Sequence, residues 1–245
     1  MKTIGLLGGM TSESSGEYYK LINLLVREKL GGIHSARLVM YSVDFAPIED
    51  MMEAGEWEQI TAILADCARR IEKAGADFLV ICTNTMHMLA DDIQKQIGIP
   101  ILNIIDAAAA EIKRRGINTI GLLGTRFTME QDFYKGRLME KHQLKVLIPS
   151  PEDITVIHRI IMDELSTGVI NDVSKKKYWQ IINRLVEQGA GGIILGCTEI
   201  PLLVKEEEGN VPLFDTTGIH AAAAVDFALK LETKSNPGGE TGAEF

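Results

Sequence analysis

The stretch RIEKAGADFLVICTN, residues 70–84, occurs a second time in altered form as RLVEQGAGGIILGCT, residues 184–198. Three further pairs of segments repeat in the same order, all four pairs being displaced by 112 to 116 residues: IGLLG (4–8 and 120–124), EYYKLI with DFYKGR (17–22 and 132–137), and IPILN with VPLFD (99–103 and 211–215). Glycine turns and apolar runs common to all α/β proteins explain IGLLG alone, but not the ordered set. The repeat therefore predicts two similar halves that face each other.

Short apolar runs alternate with helix-like segments along both halves, as expected for buried parallel strands joined by helices. Eight runs are predicted strands: KTIGLL, ARLVMYSV, ADFLVICT, IPILNII, NTIGLLG, LKVLIP, GGIILGC and VPLFD. The fold class is α/β, with two pseudo-symmetric domains, each a parallel sheet flanked by helices. Residues 1–102 with 215–231 form the N-terminal half, and residues 103–214 form the C-terminal half. Because open α/β sheets bind ligands at the carboxyl ends of their strands, the active site is expected in the cleft between the halves.

Composition excludes several other classes of protein. Of the 245 residues, 46% are apolar and 24% charged, and the net charge of −9 argues against nucleic-acid binding. No apolar run approaches the roughly 20 residues of a membrane-spanning helix. Three cysteines predict a reduced, cytoplasmic protein, and no histidine lies at zinc-site spacing from them, so no metal site is expected. Residues 232–245 are rich in Gly, Ser and charge and are predicted to be a disordered tail.

The repeat also decides which residues of the two strand ends correspond. A simple match places Cys82 over Cys197 and gives a symmetric pair of thiols. The preceding helices and glycine turns instead keep a constant offset of 114 residues, which places Cys82 over Gly196 and Thr83 over Cys197. Since side chains alternate along a strand, this one-residue difference changes the face. Cys82 is then the last strand residue, and Thr83 holds the loop position that mirrors Cys197.

These motifs resemble those of the aspartate/glutamate racemase superfamily, in particular its aspartate racemase and broad-specificity amino-acid racemase branches. The family's Cys-Asn-Thr motif corresponds to Thr83-Asn84-Thr85, and its Gly-Cys-Thr-Glu motif is present as Gly196-Cys197-Thr198-Glu199. The GLLGGM opening and the Thr-Met-His after Asn84 also fit. The sequence departs from the pattern at one position, where threonine replaces the first catalytic cysteine.

The resemblance implies a cofactor-independent isomerase, commonly dimeric, that acts on a small amino acid or dicarboxylate. Two acid/base groups on opposite sides of the α-carbon transfer the proton, and the matching residues here are Thr83 and Cys197. Glu199 matches the auxiliary acid/base partner. In this family the C-terminal cysteine works on the L-face. Because a threonine hydroxyl is a poor base, the enzyme is expected to favour L-enantiomers and to turn over D-enantiomers weakly.

Five further residues are predicted to bind substrate. Asn84, Thr85 and Thr198 are candidate donors to the α-carboxylate, together with backbone N–H groups after Thr83 and Cys197. Met10, on the loop after the first strand, and Met52 are expected to line the pocket. His87 is expected to cap or pack rather than to catalyse.

The sequence says less about which side chain the substrate carries than about the reaction. Aspartate-specific relatives use a basic residue after the second strand and another in the second domain. Residues 44–57 and 163–168 contain neither Arg nor Lys. Aspartate- or glutamate-type substrates are the prediction, with room for neutral amino acids. Two alternatives stay open: a single-thiol decarboxylase or cis–trans isomerase of a small dicarboxylic acid, and a non-catalytic carboxylate-binding protein.

Overall fold

The structure, a computed structural model, describes residues 1–230, so the predicted disordered tail at 232–245 lies outside it. Two four-stranded parallel sheets form the centre of the two halves, with strand orders β2-β1-β3-β4 and β6-β5-β7-β8. The strands are β1 Ile4–Gly8, β2 Leu38–Ser42, β3 Phe78–Ile81, β4 Ile101–Leu102, β5 Thr119–Gly124, β6 Lys145–Leu147, β7 Ile193–Gly196 and β8 Leu213–Asp215. Seven of the eight predicted runs contain one whole strand, and KTIGLL contains all of β1 except Gly8, which confirms the fold class.

The fourth predicted run is shorter as a strand than the sequence suggested. Only Ile101 and Leu102 pair in the sheet. The side chain of Asn103 accepts a hydrogen bond from the N–H of Ile105 and begins the next helix. This N-cap interaction satisfies a backbone donor that has no partner within the helix. The apolar residues that follow Asn103 therefore belong to a helix.

Helices cover the faces of both sheets. They are α1 Ser12–Leu30, α2 Phe45–Ala54, α3 Trp57–Lys73, α4 Ala90–Gln94, α5 Ile104–Arg114, α6 Arg126–Glu130, α7 Asp132–Glu140, α8 Pro151–Arg159, α9 Asp172–Glu187, α10 Ile200–Leu203 and α11 Thr216–Leu229. Short 3₁₀ turns occupy Thr85–Leu89, Leu165–Thr167 and Glu206–Glu208, and a π-type turn occupies Ile160–Glu164. No helix within residues 1–230 is long and apolar enough to cross a bilayer.

The two halves exchange their last helices. Helix α5 follows a strand of the first sheet but packs in the apolar cluster of the second sheet, beside Ile120 and Ile194. Helix α11 follows the second sheet and packs against Leu6 and Val80 of the first. This packing agrees with the predicted division, in which residues 215–231 join the N-terminal half. The division itself remains a prediction, and its boundary before residue 215 falls inside β8.

The pairing of strands gives the same register as the sequence offset. Leu7 of β1 pairs with Ile81, and Leu123 of β5 pairs with Leu195. Ile81 and Leu195 are 114 residues apart, so the two sheets match at the predicted offset. The assigned strand ends at Ile81, and the N–H of Cys82 continues the ladder to the carbonyl of Leu7 at 2.9 Å. Thr83 and Cys197 thus occupy equivalent positions just past the strand ends.

Candidate active site

One cavity of about 510 Å³ lies between the two halves at the carboxyl ends of the sheets. All eight residues predicted as catalytic, auxiliary or substrate-binding line it: Met10, Met52, Thr83, Asn84, Thr85, Cys197, Thr198 and Glu199. They come from four separate segments of the chain. The residues predicted from the repeat register and the family motifs therefore meet in one cavity.

Polar and aromatic contacts join the two halves around this cavity. The hydroxyl of Thr11 donates to Glu199 Oε1 at 3.4 Å, and the hydroxyls of Thr85 and Thr125 lie 3.3 Å apart. The rings of Trp57 and Phe127 meet edge to face, with their centroids 5.4 Å apart. Each contact pairs a residue of the first sheet's half with one of the second. Contacts between the two halves therefore fix their positions on either side of the cavity.

Cys197 has a carboxylate as its immediate partner. Its thiol donates a hydrogen bond to Glu199 Oε2 at 2.9 Å, and the hydroxyl of Thr198 donates to the same oxygen at 2.8 Å. Glu199 is 9% exposed. A thiol beside a carboxylate can pass its proton to that oxygen, as general-base activation of a nucleophile requires.

The surroundings of Cys197 hold it in the thiol form. Burial raises the pKa of the Cys197 thiol well above its ordinary value, and the negative charge of Glu199 raises this pKa further. The backbone N–H groups of Thr198 and Glu199 act on the same sulfur and oppose that rise. These N–H groups, which the sequence predicts as donors to a substrate carboxylate, act on the sulfur of Cys197 in the structure. Cys197 remains partly accessible from the cavity.

Cys82 is a packing residue. It is 1% exposed and lies in the apolar cluster between the first sheet and helices α1 and α11. Burial raises the pKa of its thiol far above the usual range. Its side chain is absent from the cavity lining, as the offset of 114 predicted.

Thr83 is held through its backbone by a buried histidine. The Nδ1–H of His87 donates to the carbonyl of Thr83 at 2.7 Å, and the N–H of Ile104 donates to His87 Nε2 at 3.1 Å. Both ring nitrogens are satisfied only by the neutral Nδ1–H tautomer. The expectation that His87 caps and packs is confirmed. His87 also ties the loop that carries Thr83 to the start of α5.

Asn84 has a defined orientation and one unpartnered atom. The hydroxyl of Thr216 donates to the carbonyl of Leu195 at 2.9 Å, so its oxygen accepts from Asn84 Nδ2 at 3.1 Å. This contact fixes which end of the amide is nitrogen. Asn84 Oδ1 is buried without a hydrogen-bond partner among residues 1–230. Asn84 was predicted as a donor; its Nδ2 has a second N–H besides the one bonded to Thr216, and its free Oδ1 is an acceptor.

Several lining residues were not identified from the sequence. They include Thr11, Phe45, Glu49, Glu53, Thr125, Phe127, His158, Ile161, Met162, Ser166 and Thr167. Glu49 and Glu53 lie in the segment 44–57, which contains no basic residue, and their spacing from Met52 on one helix could have revealed them. Thr125 follows β5 as Gly9 follows β1, so the repeat could have placed it. The turns at 160–167 gave no comparable pattern.

Two buried histidines, His87 and His220, make the stability of the fold depend on pH. Tyr18 donates its O–H to His220 Nδ1 at 2.9 Å, and His220 Nε2–H donates to the carbonyl of Leu102 at 2.8 Å. Burial lowers the pKa of His87 to about 3 and that of His220 to about 4. Unfolded histidines titrate near pH 6.5, so between about pH 6.5 and 4 the unfolded chain binds more protons than the folded protein. Stability is then present above pH 6.5 and is lost as the pH falls.

We expect the free energy of unfolding to fall by about 1.4 kcal/mol per pH unit for each of the two histidines across that window. Urea denaturation at several pH values between 7.5 and 4.5 measures this slope. In His87→Asn the amide nitrogen can replace Nδ1–H without titrating, so the slope should be shallower. Equal slopes in the two proteins would contradict the assignment.

Comparison with known proteins agrees with this architecture. A crystal structure of a candidate Asp/Glu racemase from Yersinia pestis is 50% identical, covers 94% of this chain and 100% of its own, and superposes with a TM-score of 0.90. A crystal structure of an aspartate racemase homologue from Pyrococcus horikoshii OT3 is 37% identical over 93% of this chain and 99% of its own, with a TM-score of 0.82. The broad specificity amino-acid racemase RacX of Bacillus subtilis strain 168 is 24% identical over 94% of this chain and its own whole length.

Together, the fold, the cleft and these relatives define the class of the protein as an amino-acid racemase, an isomerase whose substrates are amino acids. The sequence model of the Asp/Glu/hydantoin racemase family matches residues 7–224. The chain belongs to this family.

Proposed function

We propose that the protein racemises free amino acids by two-base proton transfer, with Cys197 on the L-side of the α-carbon and Thr83 opposite. The observation that supports this most is the equivalence of the two residues. Both follow paired strand ends at the same register, and both line one cavity from facing halves. Groups that act from opposite faces of a planar carbanion need this arrangement.

Glu199 is proposed to accept the proton of Cys197. Its Oε2 already accepts the hydrogen bond from the thiol at 2.9 Å. Transfer of that proton leaves a thiolate beside the substrate, which then removes the α-proton of the L-enantiomer. The repeat offset places Thr85 where the second half has Glu199, so Thr83 has no carboxylate at the equivalent position. The two sides therefore differ in both the acid/base group and its partner.

The α-ammonium and α-carboxylate of the substrate require separate partners. Asn84 Oδ1, which has no partner in the described chain, is a suitable acceptor for the ammonium group. The hydroxyls of Thr85 and Thr125, which lie 3.3 Å apart, can donate to the carboxylate. Such donors stabilise the enediolate that forms when the α-proton leaves.

Thermodynamics limits how an L-preference can appear. Two enantiomers have equal free energies in water, so inversion must have the same kcat/KM in both directions. The weak turnover of D-enantiomers expected from the sequence therefore cannot be a lower kcat/KM for inversion. The two enantiomers differ instead in how fast their α-proton exchanges with solvent. Cys197 can remove and return the α-proton of an L-substrate many times for each inversion. A D-substrate loses its proton only through the slower Thr83 side.

The proposal is tested by incubating single enantiomers of many amino acids with the enzyme, without added cofactor, and separating the products on a chiral column. We expect both enantiomers of a preferred amino acid to approach the racemic mixture. Binding without inversion, seen as thermal stabilisation alone, would favour the binding protein. Release of carbon dioxide from a malonate, or isomerisation of maleate, would favour the single-thiol alternative.

A further inference from the structure

Helix α2 presents one face to the catalytic cavity. Phe45, Glu49, Met52 and Glu53 lie on this face and all line the cavity. Glu49 follows Phe45 by four residues, and Met52 and Glu53 follow Glu49 by three and four, so the set lies on adjacent turns of one face. Glu49 is half-buried and Glu53 is exposed. Neither carboxylate forms an ion pair with a residue in the range 1–230.

The rest of the lining offers no positive charge to balance them. Within the described residues, neither Lys nor Arg contributes to the cavity wall, and Glu199 adds a third carboxylate. Burial and the nearby Arg126 lower the pKa of His158, the one lining histidine, which favours its neutral form. Arg126 is exposed and lies outside the lining.

The remaining wall is largely apolar. Its apolar members are Met10, Phe45, Met52, Met86, Phe127, Ile161 and Met162. Methionine side chains are flexible and fit substrates of varied shape. This wall suits an uncharged side chain.

We infer that Glu49 and Glu53 on α2 determine substrate specificity by excluding anionic side chains, so that the racemase acts on amino acids whose side chains carry no negative charge. The inference rests on the proposed racemase function and names its substrate class. The α-carboxylate is common to every amino acid and has hydroxyl donors near Asn84. A second carboxylate in the side-chain region meets two like charges and no cation, and like charges at a binding site suppress the wrong partner.

L-glutamine and L-glutamate test the inference because they are nearly isosteric and differ in charge. At low salt we expect kcat/KM for inversion of glutamine to exceed that of glutamate by about 30-fold, with a smaller ratio as salt screens the two carboxylates. The double variant Glu49→Gln/Glu53→Gln should reduce the ratio to about 3-fold by improving glutamate. Glu53→Arg should raise kcat/KM for glutamate by about 10-fold, because a guanidinium binds a carboxylate bidentately.

Asp50→Asn is the matched control, since Asp50 lies on α2, is exposed and does not line the cavity. It should leave the ratio unchanged. The inference is overturned, while racemisation stands, if the enzyme inverts glutamate as fast as glutamine. It is also overturned if the double variant leaves the glutamine-to-glutamate ratio of kcat/KM unchanged. If no amino acid is inverted or loses its α-proton, the proposed function fails and the inference fails with it.

Discussion

Cys197→Ser is expected to reduce α-proton exchange of the preferred L-amino acid by about 10³-fold. Serine keeps the size of the side chain and its hydrogen bond to Glu199. Its hydroxyl is a much weaker acid than a thiol, so Glu199 cannot produce a useful base from it. Proton NMR in heavy water follows the loss of the α-proton signal. Inversion should fall in both directions together.

Cys82→Ala is the matched control for this result. Both cysteines follow a strand, but Cys82 is 1% exposed and packs among the apolar residues between the first sheet and α11. Removing its sulfur costs packing, which denaturation measures, and leaves exchange by the folded fraction within a few-fold of wild type. A loss comparable to that of Cys197→Ser, in a folded Cys82→Ala protein, would show that the one-residue register is wrong.

Thr83→Cys is expected to raise α-proton exchange from the D-enantiomer by about 10²-fold. The new thiol would stand at the position equivalent to Cys197 and can act as a base where the hydroxyl cannot. Inversion should rise by the same factor from either enantiomer, because the equilibrium constant is fixed. Exchange from the D-enantiomer in heavy water and chiral separation of the products measure the two quantities.

Thr83→Val separates the hydroxyl from the shape of the side chain. Valine preserves volume and leaves the backbone bond from His87 to the carbonyl of residue 83 intact. Inversion should fall by at least about 10-fold, while exchange from the L-enantiomer stays within about 3-fold of wild type. Inversion unchanged in Thr83→Val would mean that another group protonates the carbanion.

The internal repeat made most of the fold predictable. It set the number of strands, the two halves and the register, because buried parallel strands are continuous apolar runs that the sequence displays directly. The sequence predicted less accurately which side chains of each helix are buried. On α3, Ile63 is 36% exposed although the neighbouring Ile60 and Leu64 are buried. The spacing of Ile63 fits the apolar face of this helix. How much of that face is buried depends on where α2 and the sheet pack against it.

The positions of the candidate catalytic residues were predictable for a different reason. Thr83, Cys197 and Glu199 lie in motifs beside strand ends, and the repeat assigns each a position. The hydrogen bond from Thr11 to Glu199 joins residues 188 positions apart, and no periodicity connects them. The free oxygen of Asn84 likewise depends on Thr216 at the start of α11 and on Leu195 of the second sheet. Such details follow from how the halves dock, so they required the structure.

The proposed asymmetry between Cys197 and Thr83 can be measured as α-proton exchange by the wild-type enzyme. The pure L- and D-enantiomers of the preferred amino acid are incubated separately in heavy water, and proton loss and inversion are recorded together. The L-enantiomer is expected to exchange many times faster than it inverts, whereas the D-enantiomer is expected to exchange only as fast as it inverts. Equal exchange from both enantiomers would contradict it.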